Sequence, residues 1–152
     1  MTPKAIAQKV VTLLGASAHL KLTINGVATQ TPVLTGIDGP DFVFDNSLPY
    51  IVMTPAANPL IRKLQGDVAE NRLTLMLYGY IPVRDRQISV FGETAFPGVF
   101  DIEAGIKAAL TAYYPSLDGT ALHFTMSATG YGVHAEGTGR IVEIELAIDY
   151  RE

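Results

Sequence analysis

Apolar residues return every three or four positions near the N-terminus and again after residue 100, and every second position through much of the rest. The first spacing predicts helices that bury one face and the second predicts strands. Thr2 suits a helix cap and Pro3 the first helical position, Ile6, Val10, Leu13 and Leu14 share a face, and Gly15 offers a left-handed stop. Leu20, Leu22 and Ile24 alternate with Lys21 and Thr23 up to Asn25-Gly26, a pair favoured in two-residue turns. Residues 19–34 therefore read as a hairpin returning from Val27.

Thr35 to Pro40 reads as loop, Phe42-Val43-Phe44 as a short strand ended by Asp45-Asn46, and Leu48 to Met53 as a strand entered through Pro49. Asn58-Pro59 repeats the cap-plus-proline pattern and predicts a brief helix through Leu64, closed at Gly66. Leu73, Leu75 and Leu77 alternate with Thr74, Met76 and Tyr78 in a long strand that runs to Ile81 and stops at Pro82. From Pro82 to Gly98 no long period exists, although Ile88, Val90, Phe91 and Phe96 lie there beside Arg84, Asp85 and Arg86. A loop of that length in a compact domain is usually functional or disordered.

Ile102, Ile106, Ala109, Leu110 and Tyr113 form an apolar stripe between Phe100 and Tyr114, with Asp101 and Glu103 near the positive helix start and Pro115 as a stop. Leu122, Phe124 and Met126 then alternate with His123, Thr125 and Ser127. Gly130, Gly132, Gly137 and Gly139 make a flexible connection to a last strand, in which Val142, Ile144, Leu146, Ile148 and Tyr150 alternate with Glu143, Glu145, Ala147, Asp149 and Arg151. The order describes one α+β domain over residues 1–152, with two helices packed on a mainly antiparallel sheet.

Composition narrows the function. Eleven Lys and Arg against fifteen Asp and Glu leave a net charge of −4, and no basic cluster exists of the kind that displaces counterions from nucleic-acid phosphates. Only 17% of residues are charged, against about 25% in average soluble domains. The chain therefore carries a poorly charged surface, or one that something covers. Absence of Cys removes disulfides and thiol chemistry, and absence of Trp removes the strongest platform for sugars. No apolar run approaches the ~18 residues of a membrane span. Lys4, Lys9, the Val10 to Leu14 run and Ala16-Ser17-Ala18 mimic a secretion signal, but the apolar part is short and the amphipathic helix accounts for the same residues.

Catalytic motifs are few. Gly15-Ala16-Ser17-Ala18-His19 lacks the second glycine and the preceding strand of a nucleophile elbow. Gly130-Tyr131-Gly132 precedes a strand where a dinucleotide fingerprint needs a helix. His134 and Glu136, with His123, could face one ion, but scattered ligands without helical spacing read first as a solvated connection, so no metal or cofactor is expected. His19 and His123 read as polar-face strand residues. Glu143 and Glu145 share a strand face about 6.5 to 7 Å apart, a separation used by inverting glycosidases; the simpler reading is a solvated face.

The amphipathic helix, the hairpin, the Leu48-Pro49-Tyr50-Ile51-Val52 strand, the strand ending Tyr80-Ile81-Pro82, the Ile102 to Leu110 helix and the closing strand to Asp149-Tyr150-Arg151-Glu152 follow one another in an order that resembles the tail terminator proteins of long-tailed bacteriophages. The resemblance covers nearly the whole chain and rests on size and element order. It implies a virion protein assembled in the host cytoplasm, a homohexameric ring at the head-proximal end of the tail, and no catalytic residues. Its implied partners are the tail tube protein, a sheath where one exists and the head–tail connector, with DNA passing through the lumen unbound and no membrane involved. On this reading Phe91 and Phe96 are the expected contact anchors with Arg84 and Arg86 at the rim, and Glu143, Glu145 and Asp149 are the expected lumen lining. Another neck or head–tail adaptor protein is the nearest alternative. A small hydrolase or metal enzyme is the third reading.

Overall fold

A computed structural model describes residues 1–35, 48–63, 69–82, 88–133 and 139–152. The strand expected at Phe42 to Phe44 and the helix stop at Gly66 lie outside them. Helix α1 spans Pro3–Ala16. Thr2 caps it by accepting the Ala5 N–H at 3.2 Å, and Ile6, Val10, Leu13 and Leu14 are its buried face. Gly15 is a helical residue, not the stop; the helix ends where Ser17 turns extended and caps a short 3-10 turn, Ala18–Leu20. His19 therefore sits in a turn and not on a strand.

The hairpin forms as β1, Lys21–Ile24, and β2, Val27–Gln30, around Asn25 and Gly26 with φ of 51° and 80°. Glycine tolerates that left-handed geometry without strain and Asn better than most residues, which is why this dipeptide makes the turn. The return strand is shorter than the period suggests. Pro32 interrupts it, and β3, Val33–Leu34, leaves the hairpin to pair in parallel with β4, Tyr50–Ala57.

Strand β5, Leu60–Lys63, occupies the stretch expected to be helical and pairs with the start of β6, Ala69–Pro82. A helix of under two turns has too few internal hydrogen bonds to offset its nucleation cost. Pairing with β6, whose Arg72 N–H donates to the Pro59 carbonyl, satisfies the same backbone. The Pro82 to Gly98 stretch is not a featureless loop, because it holds α2, Ile88–Phe91, and a bridge between Glu93 and Phe96. Helix α3 covers Val99–Thr111, and β7, His123–Val133, and β8, Gly139–Arg151, complete the chain. Gly130 and Gly132 thus belong to a strand instead of a flexible connection.

The result is an α+β fold. The main sheet runs β3-β4-β6-β8-β7, with β5 paired to β6 and every pairing except β3–β4 antiparallel. β1 and β2 form a separate two-stranded sheet. One face of the main sheet presents Ile51, Leu75, Leu77, Val142, Ile144, Leu146 and Ile148, all fully buried with Ile6, Val10, Ile102, Ile106 and Leu110 from the helices. Alternation in β8 keeps Glu143, Glu145 and Asp149 on the opposite, half-exposed face. That face carries a second small cluster of Tyr50, Val52, Tyr80 and Ile141, in which the Tyr50 and Tyr80 rings stack at 4.5 Å. Among the described residues no helix is long and apolar enough to cross a membrane.

Truncation of Leu110 or Leu146 to Ala leaves a cavity in the main core between helices and sheet and should cost about 2 to 5 kcal/mol, whereas Glu145→Gln should change stability by less than about 0.5 kcal/mol. Urea denaturation of the three variants checks the difference, and equal costs would mean that the register of β8 is displaced by one residue.

Candidate functional site

The surface with the most concentrated chemistry lies where α2, the first turn of α3 and the end of β7 meet. Helix α3 begins at Gly98, whose N–H donates to the Asp101 carboxylate at 2.8 Å. That start sets Phe100 on the outer side of the first turn, and Phe91, the last residue of α2, lies against it with ring centres 6.0 Å apart. Tyr131 of β7 meets Phe100 edge-on at 5.6 Å. Phe91 is 70% exposed, Tyr131 56% and Phe100 44%, and Val133 beside them is 60% exposed. Four large apolar side chains thus share one wet patch, an arrangement that marks interaction surfaces more often than it arises by chance.

Tyr131 is held from below. Its hydroxyl donates to the Glu103 carboxylate, with O–O distances of 2.6 and 2.9 Å, and Lys107 Nζ approaches the same carboxylate at 3.2 Å. Glu103 is only 8% exposed, so its partners compensate the loss of water around it. The hydrogen bond to Glu103, followed by burial and by the carboxylate's charge, pushes the Tyr131 phenol above the ordinary tyrosine range. Glu103 therefore does not serve the helix start as its position suggested; Asp101 does that, and Glu103 ties α3 to the sheet edge.

Beside the aromatic rings opens a cleft of about 230 Å³ walled by Val90, Val99, Phe100, Tyr131, Arg140 and Ile141. Arg140 brings the one formal charge of this lining, and its Nε donates to Ser89 Oγ at 2.8 Å.

The expected contact anchors separate. Phe91 is in the patch, but Phe96 is 1% exposed and packs in the domain's own core, so it cannot present a ring to a partner from this position. Its backbone bridge to Glu93 turns the side chain inward. Arg84 and Arg86 lie outside the described residues, as do His134 and Glu136. His123 is engaged by Tyr114, whose hydroxyl is 3.1 Å from Nε2. Phe100, Tyr131 and Val133 escaped the sequence reading because two of them lie in a glycine-rich stretch and the third on a helix face. The alternation Tyr131-Gly132-Val133 was the available signal.

The expected acidic lining is also altered. Glu143 and Glu145 share the outer sheet face, but Asp149 is bidentate with Arg72, at 2.8 and 3.1 Å. Its hydrogen bonds and charge raise the Arg72 pKa. Along the ladder Tyr78 and Met76 are the β6 neighbours of Glu143 and Glu145. Burial, then the charge of Glu143, raises the Tyr78 phenol. No model of a known protein family matches the sequence, and comparison with curated proteins returns no match.

Both raised phenols hold their protons more tightly in the folded chain than in the unfolded one. The stability they contribute is complete below the ordinary tyrosine pKa of about 10 and is lost as pH rises through the higher folded values. Absorbance titration of the seven tyrosines should show a late-ionising fraction, reduced in Tyr131→Phe and in Tyr78→Phe. A single transition at the ordinary value would contradict the contacts of Tyr131 with Glu103 and of Tyr78 with Glu143.

Proposed function

We propose that the protein is a structural ring subunit at the head-proximal end of a bacteriophage tail, where it terminates the tail tube and joins it to the head connector. The observation that carries the reading is the exposed aromatic patch of Phe91, Phe100 and Tyr131 beside the long outer strand β7. A subunit of an assembly needs such a surface, since large aromatic side chains concentrate binding energy in few positions. The element order, with two main helices on one face of a mainly antiparallel sheet, agrees with the resemblance described above. On this reading the protein has no catalytic role, works within the virion, and contacts the tail tube, the connector and any sheath.

A conduit for DNA works best when its wall does not grip phosphates, because each phosphate contact releases counterions and tightens binding. Glu145 puts a carboxylate on the half-exposed outer sheet face, while Arg72 is neutralised by Asp149. This sheet face is the proposed lumen wall.

Sedimentation velocity and negative-stain microscopy of the purified protein should show a closed ring that forms with increasing concentration, and Phe91→Ser should weaken it with the far-ultraviolet circular dichroism unchanged. A monomer at every concentration, with purified tail tubes present or absent, would overturn the reading. Filter binding to duplex DNA at low salt should show no micromolar complex. Tight binding with a steep salt slope would point instead to a neck component that holds DNA.

A further inference from the structure

The fold leaves two strands, one long and one short, without a neighbour on one side among the described residues. β7 is the outer strand of the main sheet over its eleven residues, His123–Val133. Proteins usually protect such an edge with Lys, Pro or an inward charge. β7 has no Lys, Arg, Asp, Glu or Pro, and only a bulge between Ala128 and Gly130 interrupts its ladder. The sheet surface at this end of the strand is uncrowded, since a Cβ built on Gly130 or Gly132 would meet nothing within 4 Å.

The second stretch is β2. The β1–β2 hairpin pairs with no other strand among the described residues, and an isolated two-stranded hairpin is marginal in water. Its inner side is anchored by buried Ile24, but Val27, Ala28 and Thr29 of the outer strand are all exposed, Val27 by 64%. β2, Val-Ala-Thr-Gln, carries no charge. Its outward carbonyls are acceptors, and nothing on it repels a cation.

The cleft at the end of β7 asks for such an occupant. Its walls are apolar, and among the described residues only Ser89 accepts from Arg140, which leaves guanidinium donors for a ligand's oxygens. We propose that the β1–β2 hairpin of one copy docks on the β7 edge of a second copy, with β2 alongside Gly130–Val133, Val27 seated in the cleft and Arg140 donating to carbonyls of the incoming strand. Strand addition supplies the main-chain bonds and the side-chain pocket supplies register. Because the two surfaces differ, the contact is head-to-tail and leaves each copy one hairpin and one edge to continue, the condition for a ring. The inference rests on the ring reading and names its subunit contact.

The absence of Cys makes a direct test possible. The double variant Val27→Cys with Val133→Cys, oxidised under dilute conditions, should give a ladder of cross-linked species ending at the ring size, whereas either single variant should stop at dimers. Val27→Asp and Arg140→Glu should each weaken self-association measured by sedimentation about tenfold or more, with unchanged circular dichroism. A ring that forms without the ladder and is indifferent to Val27→Asp would overturn this contact and leave the ring reading standing. A wild-type chain that never associates would overturn both.

Discussion

Helix α3 can lie on the sheet only because the chain is thinned where the two meet. A Cβ at Gly79 of β6 would press on Val142, Ile102 and Ile106 at 3.0 to 3.3 Å, and one at Gly105 would come within 2.7 Å of the His19 carbonyl. The helix is thus seated between the sheet and the 3-10 turn that follows α1, and Ile102, Ile106 and Leu110 reach full burial there. Close packing of that kind contributes most of the favourable free energy of a domain this size. It also sets the axis and rotation of α3, and with them everything its first turn carries outward.

The surface chemistry follows from that seating. With Ile102 and Ile106 inward, Phe100 must face out and Glu103 must fall at the border between helix and sheet, within reach of Tyr131. The buried carboxylate and the phenol pin the end of β7 to α3, which keeps the aromatic patch on a rigid base. A contact surface held in place loses little side-chain entropy on binding, so more of its burial is realised as affinity.

The sheet's other face obeys a different constraint. It is half-wet, so charges are tolerated in the ladder, and the ion pair of Arg72 with Asp149 is half exposed on the arginine side. Such a pair adds little stability. Its effect is on charge pattern, because it removes one carboxylate from a column that the alternation of β8 alone makes look uniformly acidic. The stacked Tyr50 and Tyr80 close the far end of this face, and the Tyr80 ring lies where a side chain at residue 139 would be, so only glycine fits there.

Periodicity alone was enough to place α1, the Asn25-Gly26 turn, α3 and the long alternations of β6 and β8, since each reports one buried face and a local geometry that needs no distant partner. The fold class followed from their order. Elements whose backbone is satisfied by another part of the chain were not legible: β5 exists because β6 extends past β4, β3 because a parallel neighbour receives it, and α2 because α3 packs against it. The site divided in the same way. Phe91 could be picked as an exposed aromatic and Glu143 and Glu145 as a polar strand face, but burial of Phe96, neutralisation of Asp149 by a residue 77 positions away and convergence of Phe91, Phe100, Tyr131 and Arg140 are long-range events. Local pattern reports which side of an element is dry; only the packed structure decides which residues meet there, because that depends on the relative position of elements far apart in the chain.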